Sequence, residues 1–141
     1  MSAPSSQAAL SPGGSVGVDP DLVAAIVDAF YAKVRADATL GPIFEAAVHD
    51  WPSHLARLRD FWSSITLMTG DYKGRPLQAH MGLPELTDDH FRRWLALFDE
   101  TLAELCTPAQ AEVFATRARR IADSFRYGLA LRRGELVSPL A

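Results

Sequence analysis

Apolar positions recur at helical spacing along most of the chain. Between Val23 and Val34 they return every third or fourth residue, and the same period continues through residues 51–68, 87–105 and 108–133. This period places apolar side chains on one face of an α-helix, whereas a half-buried strand alternates apolar and polar residues. No stretch of the sequence sustains that alternation. The pattern therefore predicts an all-α fold.

Local capping signals mark where several of these helices begin. Asp19 is followed by Pro20, an N-cap residue before a proline that suits the first helical turn. Thr107 and Gln110 make a capping box with a proline directly after the threonine. Thr87 opens the helix before it. These signals predict helix starts near residues 20, 88 and 108.

The rest of the chain divides into tails and one domain. Residues 1–18 are rich in Ser, Ala, Gly and Pro without any period, which predicts a disordered N-terminal tail. Residues 134–141 read as a frayed C-terminal tail. The domain between them spans residues 19–133 and includes a brief helix over LGPIFEAAV, ending near Asp50.

One long stretch departs from the helical pattern. Residues 70–86, GDYKGRPLQAHMGLPEL, hold three glycines and two prolines and have little period. A connection this long is uncommon in a compact domain unless it is functional or disordered. Its apolar residues, among them Leu77, can anchor it, and His80 lies in its middle. This placement makes His80 the strongest candidate site residue that the pattern alone offers.

Composition and charge narrow the classes of function. The 141 residues are 48% hydrophobic and 22% charged, which suits one globular domain. A net charge of −3 without a Lys/Arg block argues against nucleic acid and anionic membranes as partners. Charges interrupt every apolar stretch before it could span a bilayer, and residues 2–18 lack a secretory pattern. The expected compartment is the cytoplasm.

Metal and catalytic motifs are scarce. The four histidines show no HExxH spacing, and Cys106 is the single cysteine, which excludes an internal disulfide and a thiolate cluster. The large aromatic residues at helical spacing are explained either by core packing or by contact with a flat apolar cofactor. Tyr31 and Trp94 also carry a polar O–H and N–H, which need partners if buried. The residues themselves leave both explanations open.

Four segments taken together point to a known family. AFYAKVRADATLGPIFEAAV, WPSHLARLRDFW, RPLQAHMGLPEL and HFRRWLALFDETL follow one another in an order and spacing that resemble the group III truncated haemoglobins of bacteria. The resemblance covers roughly residues 20–130, nearly the whole predicted domain. It implies a globin-like, two-over-two helical sandwich around haem b.

The resemblance also implies a role for individual residues. His80 matches the proximal histidine that ligates the haem iron, Tyr31 and Trp94 match the distal donors, and His54 matches a distal gate. The further residues expected to contact haem are Phe44, Leu58, Phe61, Trp62 and Leu77.

The family likeness leads to two functional hypotheses. In the first, the chain is a monomeric haem protein that binds oxygen tightly, along with nitric oxide and carbon monoxide, because two distal donors slow ligand release. Nitric oxide or peroxide detoxification then requires an external electron donor, and whether the chain is an enzyme stays open. In the second, it is a haem-free sensor or interaction module that keeps the globin scaffold.

Overall fold

The structure is a computed structural model that describes residues 11–69, 86–134 and 140. A short 3-10 turn, Gly14–Val16, precedes five α-helices in this part of the chain. These are α1 (Pro20–Ala36), α2 (Leu40–Ala47), α3 (Trp51–Leu67), α4 (Asp88–Leu105) and α5 (Pro108–Arg133). His80 and Leu77 lie outside the described residues, so both assignments stay predictions.

The helices begin where the sequence signals place them. The Asp19 side chain accepts the Leu22 N–H at the start of α1. The predicted capping box at Thr107 forms, with the Gln110 side chain accepting the Thr107 N–H in return. The Asp19 cap and the Thr107 capping box both satisfy backbone N–H groups that have no partner within the helix. The helix-start predictions are therefore confirmed.

Two layers of helices build the fold around α1. Helix α1 packs against α2, α3 and α4, and α4 in turn packs against α5. Helices α4 and α5 are joined by only Cys106 and Thr107, so they form a helical hairpin. The pairs α1–α3 and α4–α5 are the two layers. Every described element is helical, as the apolar period predicts.

The main core lies between these layers. Its largest fully buried side chains include Phe30 from α1, Phe98 and Leu102 from α4, and Phe114 from α5. Burial of each such side chain contributes roughly 1.5–3 kcal/mol to the free energy of unfolding. The core therefore fixes α1 against α4, the two helices that carry Tyr31 and Trp94.

Residues 11–18 belong to the folded domain, which differs from the predicted disordered tail. Ser11 and Val18 are buried, and the Gly13 N–H donates to the Thr66 carbonyl oxygen at 2.8 Å. A Cβ at Gly13 would lie 2.7 Å from that oxygen, so only glycine permits the approach. The composition of residues 11–18 gave no indication of this tertiary contact with Thr66. Residues 1–10 lie outside the described part of the chain.

The described helices can be compared with the requirements for a membrane-spanning helix. None of them combines the length and the apolar character needed to cross a bilayer.

Candidate cofactor cleft and distal pocket

An apolar cleft opens between α2, α4 and α5. It takes in about 380 Å³ of space, part of which is open to solvent, and its lining is predominantly apolar, as is typical of cofactor sites. Its walls carry large aromatic and aliphatic side chains and a single histidine. The lining residues are Leu40, Phe44, Leu86, His90, Phe91, Trp94, Ala122 and Phe125.

A second apolar cluster supports one wall of this cleft. Leu86, Phe91 and Phe125 belong both to the cluster and to the lining. Leu140, near the C-terminus, packs against the same cluster. The start of α4 is tied to α5 by Arg126, whose guanidinium makes two hydrogen bonds to Asp88. This wall is therefore held by packing and by an ion pair whose guanidinium is buried.

Tyr31 is the polar residue buried deepest beside the cleft. It leaves 2% of its surface exposed and meets the rings of Phe30 and Phe44 edge-on, at 4.8 and 6.1 Å between centroids. Burial raises the pKa of Tyr31 well above its usual value, and a hydrogen bond from Trp94 offsets only part of that rise. Tyr31 is therefore a neutral phenol at any physiological pH.

Trp94 connects Tyr31 to the cleft. Its ring lines the cleft, stacks on Phe98 at 5.8 Å with 6° between planes, and meets the edge of Phe30 at 5.3 Å. Because the indole N–H can only donate, the bond between Trp94 and Tyr31 runs from the indole to the phenol oxygen. Phe30 and Phe98 thus hold Trp94, the member of the Tyr31–Trp94 polar pair that lines the cleft.

His54 lies on the side of Tyr31 that faces α3. It is half-buried, and its ring meets that of Tyr31 edge-on at 6.0 Å with 89° between planes. A second aromatic neighbour, Trp51, lies 5.6 Å from it, also edge-on. The structure therefore brings together three of the residues predicted for the distal side: Tyr31, His54 and Trp94.

The other predicted haem contacts divide between cleft and core. Phe44 lines the cleft. Trp62 lies in the main core, stacked on Phe98 at 5.1 Å and tilted against Phe114 at 5.7 Å. Leu58 and Phe61 are half-buried against that core and are not among the residues that line the cleft. Core packing therefore accounts for the observed contacts of Trp62.

Several residues near the site were not predicted from the sequence. They are Trp51 and six residues of the cleft lining: Leu40, Leu86, His90, Phe91, Ala122 and Phe125. His90 lines the cleft, and its Nδ1 accepts the Thr87 N–H at 3.0 Å to complete a capping box at the start of α4. Trp51 contacts both His54 and Tyr31. The position three residues after Thr87 was a usable signal for His90, although Glu or Gln is usual there. No local signal marks Trp51.

The layers and the cleft define a class: helical sandwiches with an apolar cleft beside a polar pair of side chains. The chain is 36% identical over 113 residues to the group 3 truncated hemoglobin ctb of Campylobacter jejuni, covering 77% of this chain and 89% of that protein. It also matches the crystal structure of group III truncated hemoglobin from Campylobacter jejuni, with a TM-score of 0.75 and 36% identity. That match covers 79% of this chain and 91% of the other. No protein-family profile matches the chain.

The chain belongs to the group 3 truncated haemoglobins. The predicted family and the predicted all-α, globin-like fold are therefore confirmed.

Proposed function

We propose that the chain binds haem b in the apolar cleft, with His80 as the ligand to iron. The cleft fits this group because aromatic rings from α2, α4 and α5 line it, and Trp94 in its lining is paired with the buried Tyr31. Haem, when bound, supplies an iron atom with a coordination position open to a small diatomic ligand. Phe44, Phe91 and Phe125 supply apolar surface for the flat ring.

The observation that carries the proposal is the pairing of the buried Tyr31 with the half-buried Trp94. The Trp94 N–H uses an oxygen lone pair of Tyr31, which leaves the phenol proton to donate to a ligand in the pocket. The raised pKa of Tyr31 keeps that proton in place across the physiological range. An apolar surround strengthens such a donor, because no water competes for the ligand.

Donation from the Tyr31 phenol determines how tightly we expect a ligand to be held. Each hydrogen bond to a bound diatomic contributes roughly 1–3 kcal/mol, or about a ten- to hundredfold slower dissociation. We infer that oxygen is held tightly, that nitric oxide and carbon monoxide also bind, and that His54 gates entry. Slow release suits detoxification of nitric oxide or peroxide, with electrons from an external donor, better than oxygen delivery.

Absorption spectra and oxygen release test the proposal. The purified reduced protein should show an intense Soret band that is lost in His80→Ala. Oxygen dissociation should accelerate at least tenfold in Tyr31→Phe, and further when Trp94→Phe is added. Tyr127→Phe is a matched control, since Tyr127 is 56% exposed on α5. Its dissociation rate should equal that of the wild type.

Two results would contradict the proposal. A protein that is folded but colourless, and that gains no band on adding hemin, would instead support the haem-free module. Unchanged oxygen dissociation in the double variant would remove the case for tight binding by the polar pair. Consumption of nitric oxide by the oxygenated protein with an artificial electron donor tests detoxification separately.

A further inference from the structure

Trp51 is held at the outer side of the distal pocket by the start of α3. It is the first residue of this helix, and the Asp50 side chain caps it by accepting the Ser53 N–H and the Ser53 hydroxyl. Pro52 follows at a position where its fixed φ suits the first helical turn. The backbone that carries the Trp51 ring is therefore well fixed.

The Trp51 ring contacts two of the residues predicted for the distal side. Its centroid lies 5.6 Å from that of His54 with 88° between planes, and 6.2 Å from that of Tyr31. Trp51 and His54 are three residues apart on one helix, which brings their side chains to the same face. The His54 ring therefore contacts two aromatic rings edge-on, one on each of two helices.

The same ring is also held by a charged pair from two other helices. The Arg35 guanidinium on α1 lies 4.4 Å from the Trp51 ring centroid, a cation–π contact. Arg35 Nε donates to Glu45 Oε1 at 2.8 Å, and Trp51 Nε1 donates to Glu45 Oε2 at 3.4 Å. We call Arg35, Glu45 and Trp51 the Trp51 clamp.

The charges of the clamp are mutually supporting. Hydrogen bonding from Arg35 is the main cause that holds the pKa of the Glu45 carboxyl below its usual value, and the Trp51 N–H adds to it. Glu45 is therefore ionised at neutral pH and accepts both donors at once. The Arg35–Glu45 pair joins α1 to α2, and the indole carries the connection on to His54.

We propose that the Trp51 clamp keeps the His54 ring turned toward Tyr31, so that Trp51 is a positioning residue that slows entry of diatomic ligands. The inference rests on the proposed function, because it concerns access to the same pocket. Outward movement of the His54 ring requires its contact with Trp51 to break. The cation–π contact and the Glu45 hydrogen bond hold the indole in place against that movement.

Carbon monoxide association to the reduced protein tests the inference, since this ligand accepts only weakly from Tyr31. Trp51→Ala should accelerate association about fivefold, the scale of one lost edge-on aromatic contact. Trp51→Phe keeps a ring against His54 and should recover most of the wild-type rate. Equal acceleration in both variants would overturn the proposal.

A double-mutant cycle shows whether Trp51 acts through His54. In a His54→Ala background, adding Trp51→Ala should change the association rate by less than about twofold, because the positioned ring is gone. A full fivefold effect in that background would mean that the indole itself blocks the entrance, which would refute positioning.

The charged arm of the clamp has its own test and control. Glu45→Gln and Arg35→Met should each raise association about twofold, the modest scale of exposed charged contacts. Arg119→Met is the matched control, because Arg119 pairs with Asp99 on the surface with similar exposure. An equal response in the control would attribute the effect to general surface charge and refute the clamp.

A structural readout separates positioning from loss of stability. In the carbon monoxide complex, the His54 ring-proton resonances should shift in Trp51→Ala and stay near wild type in Arg119→Met. Unshifted resonances alongside faster association would contradict the proposal. The two proposals fail differently: a protein without a haem spectrum refutes the proposed function, whereas one that binds carbon monoxide at an unchanged rate in Trp51→Ala refutes only this inference.

Discussion

Asp88→Asn perturbs the ion pair that ties the start of α4 to α5. The Arg126 side chain is 4% exposed, and its Nε and Nη2 donate to the two Asp88 oxygens at 2.9 and 3.2 Å. Its Nη1 donates to Asp123 at 3.1 Å. An asparagine keeps the size of the side chain and removes its charge. The buried guanidinium then retains Asp123 as its ionic partner, but loses the bidentate one.

The expected cost follows from burial on one side of the pair only. Breaking a fully buried ion pair costs about 3–5 kcal/mol, because a charge is left without compensation in the interior. The Asp88 carboxylate is half-exposed, so water reaches it and part of that cost is screened. We expect a loss of about 2 kcal/mol in the free energy of unfolding. For a domain of this size, this lowers the melting temperature by about 6 °C.

The stability that the Asp88–Arg126 pair contributes should depend on pH with a definite sign. Hydrogen bonding from Arg126 is the main cause that lowers the pKa of Asp88 below its usual 3.8. The unfolded chain therefore binds this proton at a higher pH than the folded chain does. The stabilisation is complete above the unfolded pKa and is lost as the pH falls through the folded pKa. The difference between wild type and Asp88→Asn should consequently shrink in acid.

Thermal unfolding of both proteins, in the same ligand state and at several pH values, measures this difference. Asp89→Asn is a close control, because Asp89 lies in the same helical turn but pairs with the exposed Arg92. It should cost much less than Asp88→Asn at neutral pH. Equal losses in the two variants would show that the helix dipole, and not the buried guanidinium, sets the effect. A difference that persists in acid would refute the linkage.

Three further predictions concern the N-terminal segment, the start of α5 and the C-terminal residue that packs behind the cleft. Gly13→Ala should lower the free energy of unfolding by about 1–2 kcal/mol in urea titration, because its Cβ would meet the Thr66 carbonyl oxygen at 2.7 Å. Thr107→Ala should cost about 1 kcal/mol in the same titration, since it removes the α5 capping box. Leu140→Ala should accelerate haem transfer to an excess acceptor globin about two- to fivefold, because Leu140 packs on the cluster behind the cleft. Leu131→Ala, at an 82% exposed leucine, should leave that rate unchanged.

The helices could be predicted from the sequence because their signals are local. An N-cap side chain bonds to a backbone N–H two or three residues later, so Asp19 and Thr107 mark their helices whatever else is nearby. The apolar period similarly reports which face of each helix is buried. Phe98 and Phe114 lie on the apolar faces of α4 and α5, and both are buried in the main core.

Contacts between distant segments could not be predicted in the same way. The hydrogen bond from Gly13 to Thr66 joins the backbones of two segments that are far apart in the sequence. Such a backbone contact cannot be predicted from side-chain composition. The position of Trp51 depends on Arg35 and Glu45, which lie on two other helices. The period of α3 indicates only that Trp51 stands at a helix start. Its contact with the distal residues becomes visible once α1, α2 and α3 are packed.

Core packing fixes the positions of Tyr31 and Trp94, the polar pair beside the cleft. Tyr31 and Trp94 lie on different helices, yet both rings pack on Phe30, at 4.8 and 5.3 Å between centroids. Phe30 is 1% exposed and also meets Phe98 at 4.9 Å, so it has little freedom to move. Donors held this way are oriented before a ligand arrives and lose little entropy when it binds. In the proposed function, a core phenylalanine thus holds both the Tyr31 phenol that donates to the ligand and the Trp94 indole that donates to Tyr31, so the hydrogen bond to the ligand is preorganised.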